Sequence, residues 1–267
     1  MDLGLAGRRA IVTGGSKGIG LAVAQELVAE GASVAICSRN EAELTEAAEA
    51  IGQHRDPGST EPVTIFHQVA DVTDPAQVND FVAAAADALG GLDILVNNAG
   101  GARPGNFETL SDADWQHDLD VKLFSQIRCV RAALPHLRAS RAARVININA
   151  VYAKYPDPAF FATTVNRAAC LNLNKALAAE FGSENILVNS VNIGFVVTPQ
   201  WENIRARRAP EQTLDVFLDG LAAAEVPMGR FGTVDEVSGL VAFLAGSRAS
   251  YITGAVIDVA GGMGKYV

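Results

Sequence analysis

The sequence predicts an α/β fold in which helices cover both faces of a doubly wound, seven-stranded parallel sheet. Short apolar runs alternate with longer segments of helical periodicity along the 267 residues, and this alternation is typical of βαβ units with right-handed crossovers. A glycine-rich turn separates the first apolar run from the first helical segment. No internal repeat, low-complexity linker or change in composition divides the chain. We therefore expect a single domain spanning 1–267.

The predicted strands are short apolar runs bounded by turn residues. The fourth run is expected to be covered on both faces, as strands of parallel sheets usually are. In chain order the predicted strands are Arg9–Thr13, Ser33–Cys37, Val63–Ala70, Leu92–Val96, Arg144–Ile148, Ile186–Val191 and Ala255–Val259.

The predicted helices are identified by their periodicity and by residues typical of helix ends. Gly31 suits the position after the first helix, and Asp74, which precedes a proline, suits the N-cap of the third. Ser111 and Asp114 form a variant capping box before the fourth helix. The segment His54–Pro62 is rich in proline and is expected to be a loop. In chain order the predicted helices are Ile19–Glu30, Glu41–Gln53, Pro75–Leu89, Ser111–Arg138, Ala159–Phe181, Thr198–Ala224 and Asp235–Ala245.

Composition and charge exclude several classes of function. The net charge of -9 and the lack of a basic stripe argue against a nucleic-acid partner. No apolar run reaches the ~20 residues of a membrane-spanning helix, and the first residues lack a signal-peptide pattern, so we expect a cytoplasmic protein with no membrane partner. Cys37, Cys129 and Cys170 lie far apart within apolar patterns, which indicates buried, reduced thiols. No metal-ligand spacing is present, so we expect no metal.

The stretch Ile11–Gly20 reads I-V-T-G-G-S-K-G-I-G and predicts a site for a diphosphate. A strand ends in a glycine turn, and a helix begins directly after it. Glycines allow positive φ and close backbone approach, and the helix N-terminus offers unpaired N–H groups to an anion. This context favours a diphosphate site over an ordinary turn.

Two cations predict which dinucleotide is bound. An acidic residue after the second strand usually holds the ribose of NAD(H), but here the strand is followed by Ser38, Arg39 and Asn40. Arg39 and Lys17 of the glycine turn can converge on a 2′-phosphate. The sequence therefore favours NADP(H) over NAD(H), although both residues could instead be solvated surface cations.

Other predicted cofactor contacts follow the carboxyl ends of further strands, where ligands of such sheets bind. Asp71 can accept a hydrogen bond from an adenine amino group, and Val72 can pack on the ring. The stretch Asn97–Gly100 has small residues against which a cofactor can lie, and an asparagine amide there can join neighbouring strands. After the sixth strand, Gly194, Val196 and Thr198 are placed near a nicotinamide.

Four motifs together resemble the short-chain dehydrogenase/reductase family, and most closely its ketoacyl-reductase-like branch. They are T-G-G-S-K-G-I-G at Thr13–Gly20, D-V at Asp71–Val72, N-N-A-G at Asn97–Gly100, and the tail at Tyr251–Gly262. The resemblance covers essentially the whole chain and implies a Rossmann-type sheet, NAD(P)(H), and homo-oligomers, often tetramers. The predicted cofactor-binding residues are Gly14, Ser16, Lys17, Gly18, Ile19, Gly20, Arg39, Asp71, Val72, Asn98, Ala99, Gly100, Arg167, Gly194, Val196 and Thr198.

The chain departs from this family at all four catalytic positions. The family relies on Asn, Ser, Tyr and Lys, with the last two as Y-x-x-x-K, and no such spacing occurs in this sequence. The flanking residues place Thr163 at the tyrosine position and Arg167 at the lysine position. Ala150 falls at the serine position beside Asn149, and Lys122 falls at the asparagine position.

Three hypotheses follow from this departure. The chain could be an active oxidoreductase with a rebuilt proton donor, for which Tyr152 or Tyr155 suits better than Thr163, with Lys122 as the replacement cation. It could be a lyase or isomerase in which Arg167, Lys122 and Asn149 bind an anion or carbonyl. It could also be a catalytically silent nucleotide-binding protein. The candidate catalytic residues are Thr163, Arg167, Asn149, Lys122 and Tyr152.

The segment 198–227 resembles the substrate lid of the family. Its arginines above apolar residues suggest a small-molecule substrate with an anionic group, although a solvated helix face would look the same. Arg103 is a second candidate anion contact. The lid residues considered are Trp201, Arg205, Arg207, Arg208 and Phe217.

Overall fold

The computed structural model describes residues 2–55 and 62–264. Its centre is a seven-stranded, all-parallel sheet in the order β3-β2-β1-β4-β5-β6-β7, which confirms the predicted fold class. The chain winds outward from β1 to one edge and then returns to add β4 on the other side of β1. The strands are β1 (Arg9–Thr13), β2 (Ser33–Ser38), β3 (Ile65–Val69), β4 (Ile94–Asn97), β5 (Arg144–Ala150), β6 (Leu187–Ile193) and β7 (Val256–Val259).

Nine α-helices are present among the described residues, and most of the predicted caps are observed. The Asp74 side chain accepts from two backbone N–H groups at the start of its helix, and Ser111 and Asp114 form a reciprocal capping box. Of the predicted loop, residues 56–61 lie outside the described ranges. The helices are α1 (Gly18–Ala29), α2 (Glu41–Gly52), α3 (Pro75–Leu89), α4 (Asp112–Leu119), α5 (Ser125–Ala139), α6 (Phe161–Phe181), α7 (Gln200–Arg208), α8 (Leu214–Glu225) and α9 (Val234–Ala245).

Two of the long helical predictions need correction or refinement. The predicted helix Ser111–Arg138 is a continuous helical segment, but Asp120–Phe124 forms a π-helical turn between α4 and α5. The prediction of one helix over 198–224 is wrong, because α7 and α8 are separate. Pro210 disfavours helical geometry at the residue before it, and Thr213 then caps a new helix by accepting from the Val216 N–H.

The core lies in two layers, one on each face of the sheet. Helices α1, α2 and α9 pack on one face, and α3, α5 and α6 pack on the other. The three cysteines are buried free thiols, as predicted. No helix within the described ranges is long and apolar enough to cross a bilayer. These residues also contain no group of three side chains suited to a metal ion.

A chain of buried asparagine amides joins α6 to the sheet beside the carboxyl ends of the strands. Asn97 Nδ2 donates to Asn147 Oδ1 over 2.9 Å, and Asn147 Nδ2 donates to Asn174 Oδ1 over 3.0 Å. Asn98 Nδ2 donates to the carbonyl oxygens of Thr13 and Gly14, both at 3.0 Å. The predicted role of an asparagine amide in joining neighbouring strands is thus observed.

Candidate active site

A cavity of about 1130 Å³ opens along the carboxyl ends of the strands. It begins at the glycine turn after β1, crosses the point where the strand order reverses, and ends between α4 and α6. Such reversal points are where doubly wound sheets bind their ligands. One end of the cavity is lined by Gly14 and Lys17, and the other by Lys122 and Thr163. We call these the cofactor end and the catalytic end.

The glycines of the turn are required by backbone geometry. Gly14 and Gly18 have φ of 66° and 57°, the left-handed region that side chains rarely adopt. A Cβ at Gly20 would collide with the Gly14 carbonyl oxygen and with Asn98 Nδ2. No side chain caps the N-terminus of α1, so the first N–H groups of this helix remain available to an anion.

The two predicted cations both line the cofactor end, but an acid that the sequence reasoning missed accompanies them. Lys17 Nζ lies 3.1 Å from Glu43 Oε1, and Ser16 Oγ lies 3.4 Å from the other oxygen of the same carboxylate. Arg39 also lines the cavity and is exposed. Glu43 is placed here because Asn40 caps α2 by accepting from the Glu43 N–H. The three-residue spacing between Asn40 and Glu43, which is typical of an N-cap, is the feature of the sequence that points to this placement.

The remaining predicted cofactor contacts, except Gly20, also lie along this cavity. Asp71 Oδ1 accepts from the backbone N–H and hydroxyl of Thr73, at 2.9 and 2.8 Å, while Val72 is 9% exposed. Gly20 does not line the cavity and acts through the packing described above. The predicted residues in the lining are Gly14, Ser16, Lys17, Gly18, Ile19, Arg39, Asp71, Val72, Asn98, Ala99, Gly100, Arg167, Gly194, Val196 and Thr198.

The catalytic end contains a buried ion pair and a hydroxyl. Lys122 lies in the π-helical turn, and such turns often occur at functional sites. Its ammonium forms an ion pair with Asp118, and the two side chains are 1% and 2% exposed. Lys122 Nζ is also 3.1 Å from Thr163 Oγ1. Asn166 Nδ2 donates to the second Asp118 oxygen over 2.9 Å, so this carboxylate is surrounded by donors.

Burial and neighbouring charge lower the pKa of Lys122 to about 8. Desolvation is the largest cause, and the positive charge of Arg167 adds to it. The Asp118 carboxylate opposes both effects. Lys122 is therefore mostly protonated at neutral pH and loses its proton as the pH rises through about 8.

Arg167 lies where the cofactor end and the catalytic end meet. Its Nη1 donates to the carbonyl oxygen of Ile148 over 2.7 Å. Its Nε is buried and has no hydrogen-bond partner within the described ranges. A Cβ added to Gly100 would lie 3.3 Å from Arg167 Nη2, so the guanidinium occupies the space above this glycine. Burial lowers the pKa of Arg167, but a guanidinium remains charged.

Two predicted catalytic residues are engaged elsewhere. Asn149 is 0% exposed, is absent from the cavity lining, and donates through Nδ2 to the Arg167 carbonyl oxygen over 3.1 Å. This geometry favours a structural role. Tyr152 lines the cavity, but its ring stacks on Phe160. Burial and the nearby Asp157 carboxylate raise the Tyr152 pKa further above its usual range. Tyr155 does not line the cavity.

Some candidate anion contacts of the lid line the cavity, whereas others form hydrogen bonds that hold the lid together. Trp201 and Arg207 line the cavity. Arg205 instead donates to the carbonyl oxygens of Pro210 and Gln212, closing the turn between α7 and α8. Arg103 lines the cavity as an ion pair with Asp114.

Two further lid residues do not face the cavity. Phe217 is buried in the apolar cluster beneath the lid, and Arg208 is absent from the cavity lining.

Residues 14–264 match the family model described as enoyl-(acyl carrier protein) reductase. The chain is 32% identical over 256 residues to the 3-oxoacyl-[acyl-carrier-protein] reductase of Staphylococcus aureus, covering 96% of this chain and 98% of that protein. It is similar in structure to L-sorbose reductase from Gluconobacter frateurii complexed with NADPH and L-sorbose, with a TM-score of 0.94, 30% identity and full coverage of both chains.

A further similar structure is the NADPH-bound short chain oxidoreductase of Pseudomonas aeruginosa PAO1, described as containing an atypical catalytic center. The TM-score is 0.88 and the identity 37%, over 97% of this chain and 98% of that one.

Proposed function

Because this chain belongs to the short-chain dehydrogenase/reductase family, we propose that it is an NADP(H)-dependent oxidoreductase that acts on a carbonyl or alcohol through a non-standard active site. The observation that carries this proposal is that a single cavity joins the glycine turn to the buried Lys122–Thr163 contact. A dinucleotide lying along that cavity would bring its reactive end beside a protonated amine and a hydroxyl.

The residues present fit a dinucleotide. Its diphosphate would lie on the free N–H groups of α1, and the collision that a Cβ at Gly20 would cause shows how closely the backbone is packed there. The unpartnered Nε of Arg167 is a buried donor that a ribose hydroxyl would satisfy. The bound cofactor supplies the hydride, and the protein supplies position and a proton.

The residues of the catalytic end can polarise a carbonyl. The Thr163 hydroxyl and the Lys122 ammonium are hydrogen-bond donors at the end of the cavity. Arg167 adds a fixed positive charge that stabilises the negative charge developing on a substrate oxygen. Tyr152 suits the role of proton donor less well, because its raised pKa makes the phenol a weaker acid.

The preference for NADP(H) rests on Arg39 and Lys17. Arg39 is exposed at the cofactor end, so it can turn toward a 2′-phosphate without breaking a buried contact. The two similar structures contain NADPH. The Glu43 carboxylate opposes this preference, since it must move away from Lys17 before a phosphate can approach.

We also expect an anionic or polar small-molecule substrate under the lid and a homo-oligomer, either a tetramer or a dimer. Val165 and Phe124 are apolar side chains that are 47% and 38% exposed near the long helices, and burial of such side chains between copies would stabilise an oligomer. Light scattering of the purified protein measures the number of copies.

The experiment that tests the proposed function follows NADPH absorbance with a panel of carbonyl compounds. The panel includes L-sorbose and a 3-oxoacyl thioester, the substrates that the names of the similar proteins suggest. We expect oxidation of NADPH with at least one class of carbonyl. Binding of NADPH by calorimetry, without turnover on the whole panel, would contradict the reductase and support a binding protein.

Replacement of Arg167 tests the cofactor site separately from chemistry. Arg167→Ala removes the donor above Gly100 and should weaken NADPH binding by roughly tenfold, since a hydrogen bond from a charged group contributes about 1.5–3 kcal/mol. Calorimetry measures the change. Arg248→Ala is the control, because Arg248 is exposed and does not line the cavity. Equal affinities of Arg167→Ala and the unmodified protein would contradict the assignment of Arg167 to the cofactor.

A further inference from the structure

The buried cluster of Asp118, Lys122, Thr163 and Asn166 contains a carboxylate that cofactor binding does not use. We propose that Asp118 is a positioning residue, which holds the Lys122 ammonium against the Thr163 hydroxyl so that a proton passes from Lys122 through Thr163 to the carbonyl oxygen of the substrate. This inference rests on the proposed reductase function and adds the route of the proton.

The geometry of Asp118 restricts where its negative charge can act. Asn166 Nδ2 donates to Asp118 Oδ2 over 2.9 Å, so the carboxylate has little freedom to rotate. Its other oxygen, Oδ1, accepts from the Lys122 ammonium and lies 3.5 Å from Thr163 Oγ1. Asp118 and Lys122 are four residues apart, on either side of the start of the π-helical turn. The turn therefore fixes the ammonium at the hydroxyl.

Thr163 is suited to relay a proton and not to supply one. An aliphatic hydroxyl does not ionise near neutral pH, but it can accept one hydrogen bond while it donates another. Its oxygen accepts from Lys122 over 3.1 Å and lies 3.4 Å from the Arg103 N–H. The hydroxyl donates to Asp118 Oδ1 over a long contact of 3.5 Å, so a substrate oxygen at a shorter distance can replace that acceptor.

The proposed step balances in atoms and charge. In this step the carbonyl carbon would receive the hydride that a bound, reduced nicotinamide dinucleotide supplies, and the carbonyl oxygen would receive the proton of the Thr163 hydroxyl. As that O–H bond breaks, an N–H bond of Lys122 breaks and its proton restores the hydroxyl. Lys122 is left as a neutral amine and regains a proton from water that enters the cavity, which it lines. The net reaction consumes one hydride and one proton.

The charges around Lys122 predict the pH dependence. Arg167 and Cys170 face it from α6, and Asp118 faces it from α4. Burial and Arg167 lower its pKa, while Asp118 raises it, and the balance is about 8. The rate of carbonyl reduction should therefore be constant below that pH and fall as pH rises through it, because the donor becomes neutral.

The test compares Asp118→Asn with the unmodified protein. Loss of the carboxylate should lower the Lys122 pKa by about 1–3 units, the usual effect of a charge within a few ångströms. The pH at which the rate of reduction falls should then be lower by at least about one unit. Asp120→Asn is the matched control. Asp120 is in the same helical segment but pairs with Arg128, so its replacement should not change the pH at which the rate falls.

A second measurement follows the ammonium in the free protein, without turnover. In protein labelled with ¹⁵N-lysine, the Lys122 signal is assigned by its loss in Lys122→Met. We expect it to titrate near pH 8 in the unmodified protein and lower in Asp118→Asn. An unchanged midpoint in Asp118→Asn would overturn the positioning role. A shifted midpoint in a protein that reduces no carbonyl would contradict the reductase while supporting the effect of Asp118 on Lys122.

Two variants of Thr163 test whether the proton passes through its hydroxyl. Thr163→Val keeps the volume and removes the hydroxyl, so reduction should slow by about 10²–10⁴-fold, the usual contribution of a general acid. Thr163→Ser keeps the hydroxyl and should retain most of the rate. Circular dichroism shows whether both variants fold. Equal rates for the valine and serine variants would overturn the route through Thr163.

Discussion

The cavity has a lysine–carboxylate pair at each end, and the two pairs differ in exposure. At the cofactor end, Lys17 Nζ lies 3.1 Å from Glu43 Oε1, and the side chains are 61% and 37% exposed. At the catalytic end, the side chains of Lys122 and Asp118 are 1% and 2% exposed. Water screens the first pair on most sides, whereas the second pair meets water only where it borders the cavity. The same chemical groups therefore have different consequences at the two ends.

The exposed ion pair can change partners at little cost, whereas the buried ion pair is costly to break. An exposed ion pair contributes about 0–1 kcal/mol, so Lys17 can leave Glu43 for a phosphate at little cost. A buried ion pair is costly to break, because the group left behind is an uncompensated charge. Under the proposed function, the cofactor end would open for each binding event, whereas the catalytic end would keep its arrangement through the reaction.

The largest effect that we predict concerns the stability of these two pairs. Lys122→Met should lower the free energy of unfolding by about 3–5 kcal/mol, because Asp118 is left buried without its partner. Lys17→Met should change it by less than about 1 kcal/mol. Urea denaturation followed by circular dichroism measures both values.

The double variant Asp118→Asn with Lys122→Met separates charge from packing. It removes both charges of the ion pair, so it should recover most of the stability lost in Lys122→Met. Asn166 keeps an acceptor, since the new amide still has an oxygen. If the double variant is as unstable as the single one, the loss comes from packing and the contrast between the two ends fails.

The cofactor end has its own rigid component, which lies in the backbone and not in its charges. A Cβ at Gly20 would meet the Gly14 carbonyl oxygen and Asn98 Nδ2. Gly20→Ala should therefore lower the free energy of unfolding by about 1–3 kcal/mol, as overpacking usually does, and weaken NADPH binding as the turn shifts. Calorimetry and urea denaturation measure the two effects.

Gly239→Ala is the matched control for this glycine. Gly239 also lies in a helix, but an added Cβ would meet nothing within 4 Å. Alanine should there raise the stability by up to about 1 kcal/mol, since it favours the helix more than glycine does. Similar losses in both variants would mean that Gly20 acts only through helix propensity and that the turn is not tightly packed.

The sequence could predict the geometry of the glycine turn because its features are local. Gly14 and Gly18 are needed at positive φ, and this need appears as a glycine motif between a strand and a helix. The strands and caps were predicted for the same reason, since Asp74 and Ser111 act on N–H groups two or three residues away. Glu43 was missed because its contact with Lys17 depends on how α2 is oriented.

The catalytic end could be predicted only in part, because its contacts are distant in the chain. The resemblance placed Thr163 and Lys122 at the site, but their mutual contact joins residues 41 positions apart. Asp118 was not identified, although it lies four residues before Lys122 on a helix. Such spacing usually marks a surface ion pair, and the burial that makes this one important appears only once α6 is packed against it.

The smallest predicted effect tests the exposed pair at the cofactor end. Glu43→Gln removes the negative charge that competes for Lys17 and keeps an acceptor for Ser16. NADPH affinity should rise by a few-fold, because an exposed ion pair contributes at most about 1 kcal/mol, and NADH affinity should stay the same. The rise should shrink in 1 M salt, where the screening length is about 3 Å. Glu41→Gln, an acid in the same helical turn outside the cavity lining, is the control. An equal gain for NADH and NADPH would place Glu43 away from the 2′-phosphate and leave Arg39 as the main source of selectivity.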